Sequence, residues 1–465
     1  MGKCYLCISS TLTMITISKG CLKGKVSLPP SKSMSIRALA AIFLAGRDTL
    51  LKGAWPKDGT QLCEDVQAAY RVVRSVGSQF VKEDIWPNVA SPGSGKDHLR
   101  HQLDCGESAL ALRMFAPILA LSSYIYCLRG RTTLITRPVD FVIEGLRELG
   151  CWCESMNTLP TLSIIDNLKE IGKWETRDSS LSLSRPILLV QGPLRGGKYL
   201  VNAGGSSQFL SGLLMALPLA EKDSILEVER LESQPYIDLT LNVMESFGVR
   251  ATHDDYKVFH IPGRQTYRAR KIAIEGDWSG GANFIVGATL FGDLRIGHLW
   301  KNSLQADKAI LEAIGRAGGS WAWASANQLK VYRHENLQGF IFDAQKCPDL
   351  FPPLVALAVH CKGTTSIHGI DRLFHKESNR ALALLEEYSK VGANIRLEGN
   401  NMIIEGGKLP GGTRISARGD NRIAMSLAIA ALGAENSIEI EGKHTVAKSF
   451  PDFWVELEKV TKKEE

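Results

Sequence analysis

The chain has no apolar run long enough to span a bilayer, so nothing in it predicts a membrane-embedded protein. It also lacks a charge excess. Lys and Arg number 55 against 49 Asp and Glu, a formal +6 over 465 residues, too little to attract nucleic acid by electrostatics alone. Metal-finger spacing is missing: Cys4-x-x-Cys7 has no second pair and no neighbouring His cluster. The ten cysteines are scattered, and the apolar residues of Met1 to Thr13 are too interrupted by Ser and Thr for a secretion signal. Reduced thiols in a cytoplasm are therefore expected. The β-like run Met14-Ile15-Thr16-Ile17-Ser18 reads as the first strand, which leaves residues 1–13 as an N-terminal extension.

What is present is the composition of an ordinary globular protein, 44% apolar and 22% charged, in a chain longer than one hydrophobic core normally supports. A turn of small or polar residues, an apolar helix and a β-rich run recur six times, starting near Ser35, Ser108, Ser207, Ser279, Asp349 and Asn421. The spacing is roughly 70 residues except for one step of about 100. A second, amphipathic helix ends in each interval at Gly77, Gly150, Gly248, Gly318 and Gly392, and these glycines show the same long step. Six repeats predict two similar α/β domains, each of three βα units. The helices that are apolar all round would be buried and covered by outer sheets, an inside-out α/β barrel. Residues 14–31 read as a strand pair turning at Gly20 and Gly24, and are assigned with 275–465 to one domain; 32–274 form the other. Two crossings of the chain would give a cleft, with the N-terminal ends of the buried helices pointing at it.

The chemistry gathers at those helix starts. Pro29-Pro30-Ser31-Lys32-Ser33-Met34-Ser35-Ile36-Arg37 places two cations and several hydroxyls before an apolar helix, a pattern suited to phosphate or carboxylate. Equivalent positions carry Glu107-Ser108-Ala109 ahead of Arg113, Arg137-Pro138, Gly204-Gly205-Ser206-Ser207-Gln208, Pro348-Asp349, Lys376-Glu377-Ser378-Asn379-Arg380, Asp420-Asn421-Arg422 and Lys448. Taken singly, Ser206, Ser207 and Asp349 are helix caps, and Lys376 with Glu377 a solvated pair. Taken together, Lys32, Arg37, Arg137, Lys376, Arg380, Arg422 and Lys448 would repel one another unless a ligand of several negative charges sat among them.

In their order along the chain, PPSKSMSIRALA, Arg137-Pro138, GGSSQFLSGLL, SQPYIDLTLNVM, Pro348-Asp349, HKESNR, GDNRIAMS and AKSFPDFW resemble the 5-enolpyruvylshikimate-3-phosphate synthase family from about Met14 to about Val460. The resemblance implies transfer of the enolpyruvyl group of phosphoenolpyruvate to the 5-hydroxyl of shikimate 3-phosphate, with no metal or cofactor, in a two-domain fold of three repeats each. It implies that Lys32 meets both substrates. Ser33, Arg37, Ser206, Ser207, Ser233, Tyr236, Asp349 and Lys376 would hold shikimate 3-phosphate; Ala109, Arg137, Gln208, Arg380, Arg422 and Lys448 would hold phosphoenolpyruvate. Asp349 is the expected base at the 5-hydroxyl, while Glu377 and Lys448 handle protons at the enolpyruvyl carbon. A monomer acting on small molecules, without nucleic-acid or membrane partners, is expected.

The sister transferase acting on UDP-N-acetylglucosamine shows Lys-Asn where this chain has Lys32-Ser33, and a loop cysteine that Gly130 to Arg137 does not contain. A silent anion-binding repeat protein would have no use for Asp349 and Glu377 amid phosphate ligands. Some positions depart from the family pattern. The usual Asn-Ala-Gly-Thr reads Glu107-Ser108-Ala109-Leu110, Asp-His-Arg reads Asp420-Asn421-Arg422, and Arg372 stands where asparagine is frequent. Ala109 puts a methyl where the family's glycine lies against phosphoenolpyruvate. Reduced sensitivity to glyphosate, which occupies that pocket, is the expected result; inhibition at the low concentrations typical of sensitive members would contradict it.

Overall fold

Helices without a polar face can only be satisfied inside a protein, and here they form the centres of two units. The computed structural model describes residues 6–7, 13–46, 50–56, 62–76, 99–156, 184–204, 206–231, 233–268, 271–374 and 376–462. The chain divides into one unit of Met1–Ser31, Gly53–Trp55 and Glu275–Glu465, and another of Lys32–Lys52 and Pro56–Ile274. In the second, α1 (Lys32–Ala45) and α3 (Ala109–Leu119) pack together, and α3 packs on α5 (Ser207–Ala216). Every residue of α3 is buried. Around them lie the amphipathic α2 (Glu64–Val76), α4 (Asp140–Glu148) and α6 (Gln234–Ser246). In the first unit α7 (Trp278–Phe291), α9 (Phe351–Ala358) and α11 (Asn421–Ala431) pack against each other. There the amphipathic partners are α8 (Ile310–Arg316) and α10 (Arg380–Lys390), followed by α12 (Phe453–Val460).

The sheets carry the repeat more plainly than the helices do. Lys198–Asn202 runs parallel to Ser224–Glu229, which pairs antiparallel with Val258–Ile261 and that in turn with Thr252–Asp254. The same one-parallel, two-antiparallel order recurs from Leu99–Asp104, Cys21–Ser27, Ile341–Asp343 and Arg414–Ser416 onward, and Thr461–Lys462 adds a further antiparallel strand on the outer side of Cys21–Ser27. In the last of these, Ile438–Glu441 pairs with Met14–Ile17, and Leu6–Cys7 pairs with Met14–Ile17, so the start of the chain supplies both antiparallel strands of the sixth repeat. Two expectations change accordingly. Residues 14–31 do not form a strand pair, because Met14–Ile17 and Cys21–Ser27 belong to different sheets, the latter parallel to Gly292–Gly297. Part of the presumed extension, Leu6–Cys7, is a strand.

The helix-stopping glycines act through their backbone. Gly150, Gly248, Gly318 and Gly392 all have φ between 79° and 93°, the left-handed region in which a side chain is strained; Gly77 lies outside the described residues. At Gly318 a Cβ would meet nothing within 4 Å, so the cost of a side chain there is conformational alone. Gly318→Ala is expected to destabilise the protein by roughly 1 kcal/mol, and Gly318→Asn by less, in urea unfolding followed by circular dichroism.

Candidate active site

In the unit of residues 32–52 and 56–274, Lys32 opens α1 and its Nζ lies 2.9 Å from Asp65 Oδ2 in the first turn of α2. One turn further along α1, Arg37 is 1% exposed. Its Nε donates to Thr240 Oγ1 (2.8 Å), one terminal nitrogen to the Ser33 carbonyl (3.0 Å), and the other to Ser211 Oγ and the Tyr236 carbonyl (both 3.2 Å). Burial lowers its pKa to about 10, against an opposing effect of Tyr236. Arg37 therefore ties α1 to α5 and α6 with three hydrogen bonds and to its own helix with a fourth. Ser233, also buried, precedes α6.

A second group forms around α3 and α5. Ser206 caps α5 by accepting from the Gln208 amide (3.2 Å), and Ser207 is the first residue of that helix. Gln208 Oε1 accepts from Arg113 (3.1 Å), whose other terminal nitrogen donates to the Pro138 carbonyl (2.8 Å). The guanidinium of Arg113 also stands over the Phe141 ring, 5.1 Å from its centroid. Gln208, the Arg137-Pro138 turn and the helix that Ala109 begins are thus joined through one arginine. Ser108 caps that helix. The turn before it is held by Asp104, which accepts from the Gly106 amide (2.9 Å) and from Arg131. Glu107 accepts from Thr133 Oγ1 (2.6 Å).

The unit of residues 275–465 holds a denser network. Arg380, at the start of α10 and 1% exposed, donates to Asp349 Oδ1 (2.8 Å), Glu377 Oε2 (2.8 Å) and both oxygens of Asp420 (2.9 and 3.2 Å). These carboxylates outweigh the burial penalty and raise its pKa further. Asp349, in the 3-10 turn Pro348–Leu350, also faces Arg422 at 3.5 Å and Lys376 at 4.0 Å. Burial pushes its carboxyl up, but Arg422, Lys376 and Arg380 together hold it well below the usual range. Burial brings Lys376 down to about 8 in spite of Asp349. Arg422 also faces Asp277 at 3.9 Å, and Lys448 Nζ donates to the Gly419 carbonyl (3.0 Å). Asp420 and Asp277 are at the same time the side-chain caps of α11 and α7.

Two readings from the sequence need correcting here. Lys32, Arg380 and Arg422 do not depend on a ligand to offset their repulsion, because they are balanced by Asp65, Asp420, Glu377, Asp349 and Asp277. Asp349 is no helix cap, since its side chain is turned to Arg380. The acidic partners Asp65, Asp277 and Asp420 escaped assignment. For Asp277 and Asp420 the signal was available: each immediately precedes an apolar helix, where an aspartate caps and so has a fixed position.

Known structures share this architecture. A solved EPSP synthase from Acinetobacter baumannii aligns with a TM-score of 0.71 at 22% identity, over 97% of this chain and 99% of that one. The enolpyruvyl transferase NikO from Streptomyces tendae aligns with a TM-score of 0.67 at 13% identity, over 97% and 98%. The fold is that of the enolpyruvyl transferases. Residues 17–457 match the family model described as EPSP synthase (3-phosphoshikimate 1-carboxyvinyltransferase). A 3-phosphoshikimate 1-carboxyvinyltransferase of Clostridium botulinum (strain Alaska E43 / Type E3) is 34% identical over 444 residues, 94% of this chain and 95% of the relative. One of Clostridium perfringens (strain SM101 / Type A) is 32% identical over 449 residues, 96% and 98%. The chain belongs to the EPSP synthase family.

Removing one carboxylate from the Arg380 network leaves a buried charge under-compensated. Asp420→Ala is expected to cost roughly 3 kcal/mol of stability, measurable by chemical denaturation, whereas Asp420→Asn, which keeps a cap acceptor, is expected to cost less.

Proposed function

We propose that this protein transfers the enolpyruvyl group of phosphoenolpyruvate to the 5-hydroxyl of shikimate 3-phosphate and releases phosphate, in the shikimate pathway to chorismate and aromatic amino acids. The family membership supports the reaction; the observation that carries the assignment of roles is Asp349, an ionised carboxylate 2.8 Å from Arg380 and within 4.0 Å of Arg422 and Lys376. In this reading Lys32, Ser33, Arg37, Ser206, Ser207, Ser233, Tyr236, Asp349 and Lys376 hold shikimate 3-phosphate. Lys32, Ala109, Arg137, Gln208, Arg380, Arg422 and Lys448 hold phosphoenolpyruvate. The protein acts as a monomer in the cytoplasm, where its free thiols stay reduced.

Addition of the 5-hydroxyl to the enol phosphate requires removal of the hydroxyl proton and delivery of a proton to the methylene carbon. Expulsion of phosphate from the tetrahedral intermediate then removes a proton from the methyl group so formed. Asp349 takes the hydroxyl proton, and Glu377 and Lys448 serve the carbon. A carboxylate held by three cations is a weak base. Substrate phosphates and carboxylate that engage Arg380, Arg422 and Lys376 withdraw that stabilisation, so Asp349 gains basicity when both substrates are bound.

Phosphate release from phosphoenolpyruvate should require shikimate 3-phosphate and fail with UDP-N-acetylglucosamine. Asp349→Ala should lower kcat by at least about 100-fold while shikimate 3-phosphate binding persists in calorimetry. Undiminished turnover would remove Asp349 from the chemistry.

A further inference from the structure

Asp307 is a buried acid that the proposed chemistry leaves unused. It lies in the 3-10 turn Ala306–Ala309, is 2% exposed, and accepts the Ser279 hydroxyl on one oxygen. Among the described residues its other oxygen, Oδ1, has no hydrogen-bond partner, and neither has one terminal nitrogen of Arg422, itself 3% exposed. Among the described residues, burial and the Asp349 and Asp277 carboxylates oppose the ionisation of Asp307, while Arg422 and the Ser279 hydroxyl favour it. The Cys347 thiol also stands close enough to sense its charge and is pushed up by burial and by Asp307.

We infer that Asp307 is a positioning residue that takes up a proton when an anion engages Arg422. The inference rests on the reading of Arg422 as a phosphoenolpyruvate ligand. The physical cause is a loss of charge balance. With Arg422 open to it, Asp307 has the pull of that cation against the Asp349 and Asp277 carboxylates. Once the guanidinium is shared with a substrate phosphate or carboxylate, the attraction is offset and the two repulsions remain. Protonation then removes the excess negative charge beside the bound anion. The free protein is poised for this, because burial and then Asp349 raise the Asp307 pKa to about 7, while Arg422 and the Ser279 hydrogen bond hold it from rising further. Binding and protonation are linked: a carboxyl whose pKa rises by about one unit on binding weakens the ligand by about tenfold at a pH where it must first collect its proton.

Asp307→Asn mimics the protonated carboxyl. The ratio of wild-type to Asp307→Asn KM for phosphoenolpyruvate is expected to be close to one at pH 6 and to rise about tenfold by pH 9; ionisation of the substrate itself cancels in the ratio. Ser279→Ala, which removes the hydrogen bond to Asp307, is expected to move the midpoint of the wild-type pH dependence to higher pH, and it keeps the test open should the Asp307 variant not fold. A flat ratio, or a midpoint unmoved by Ser279→Ala, overturns the role of Asp307. Arg422→Gln separates the two levels: if it leaves KM for phosphoenolpyruvate unchanged, the reading of Arg422 fails. If it raises KM while the Asp307→Asn ratio stays flat, only the present inference fails.

Discussion

The contact on which the 275–465 unit depends is the buried guanidinium of Arg380 between Asp349, Glu377 and Asp420. A charge taken out of water at this depth is tolerable only when its donors are met by acceptors of opposite sign. Arg380 meets that condition with acceptors from three places in the sequence: the turn before α9, the residues leading into α10, and the cap of α11. One side chain therefore fixes the starts of three helices relative to one another. It also fixes the two carboxylates, Asp349 and Glu377, to which proton transfer is ascribed.

The same helix grips the α11 loop a second time. Glu387, fully buried two turns beyond Arg380 on α10, accepts from the Ser416 amide (2.9 Å) and from Arg418 Nε (2.6 Å). Between these grips lie Gly419, whose carbonyl receives Lys448, and Asp420, which receives Arg380. Arg418 at φ 51° and Gly419 at φ 72° make the sharp turn this requires. Loops are ordinarily the least constrained parts of a fold; this one is pinned at both ends by a rigid helix.

The repeat, the buried helices and the glycine stops were legible in the sequence because each rests on local chemistry. Apolar residues all round a helix force burial, and a glycine after an amphipathic helix supplies a left-handed residue. The strand order was less legible. Met14–Ile17 pairs with Ile438–Glu441, and nothing in either segment encodes a partner some 420 residues away; only the topology shared with the other repeats makes the pairing intelligible. In the site, the cations and the carboxylates Asp349 and Glu377 were visible as motif residues, while other acids packed among them were not. Asp65 and Asp307 sit in unremarkable acidic contexts, and only the three-dimensional arrangement brings Asp65 to Lys32 and Asp307 to the Ser279 hydroxyl. The long insertion between the second and third repeats falls largely on residues 157–183, outside those described.

The helix N-termini also act differently from a bare dipole. Four of the six buried helices begin with a side-chain cap: Ser108, Ser206, Asp277 and Asp420. Their first amide groups are thereby partly satisfied before any ligand arrives, which reduces what the helix end can offer to a phosphate. In the 275–465 unit two of the caps are themselves carboxylates, and these hold the arginines. On the proposed reading, anion binding there is an exchange of partners above all for Arg380, whose donors are already turned toward Asp349, Glu377 and Asp420, while Arg422 stands 3.5 Å from Asp349 and 3.9 Å from Asp277. A singly charged anion gains little from such an exchange, since it replaces one carboxylate with another. A ligand bearing a phosphate and a carboxylate together can engage several cations at once, and the difference between those two cases is a selectivity set by the protein's own acids rather than by its excess of bases.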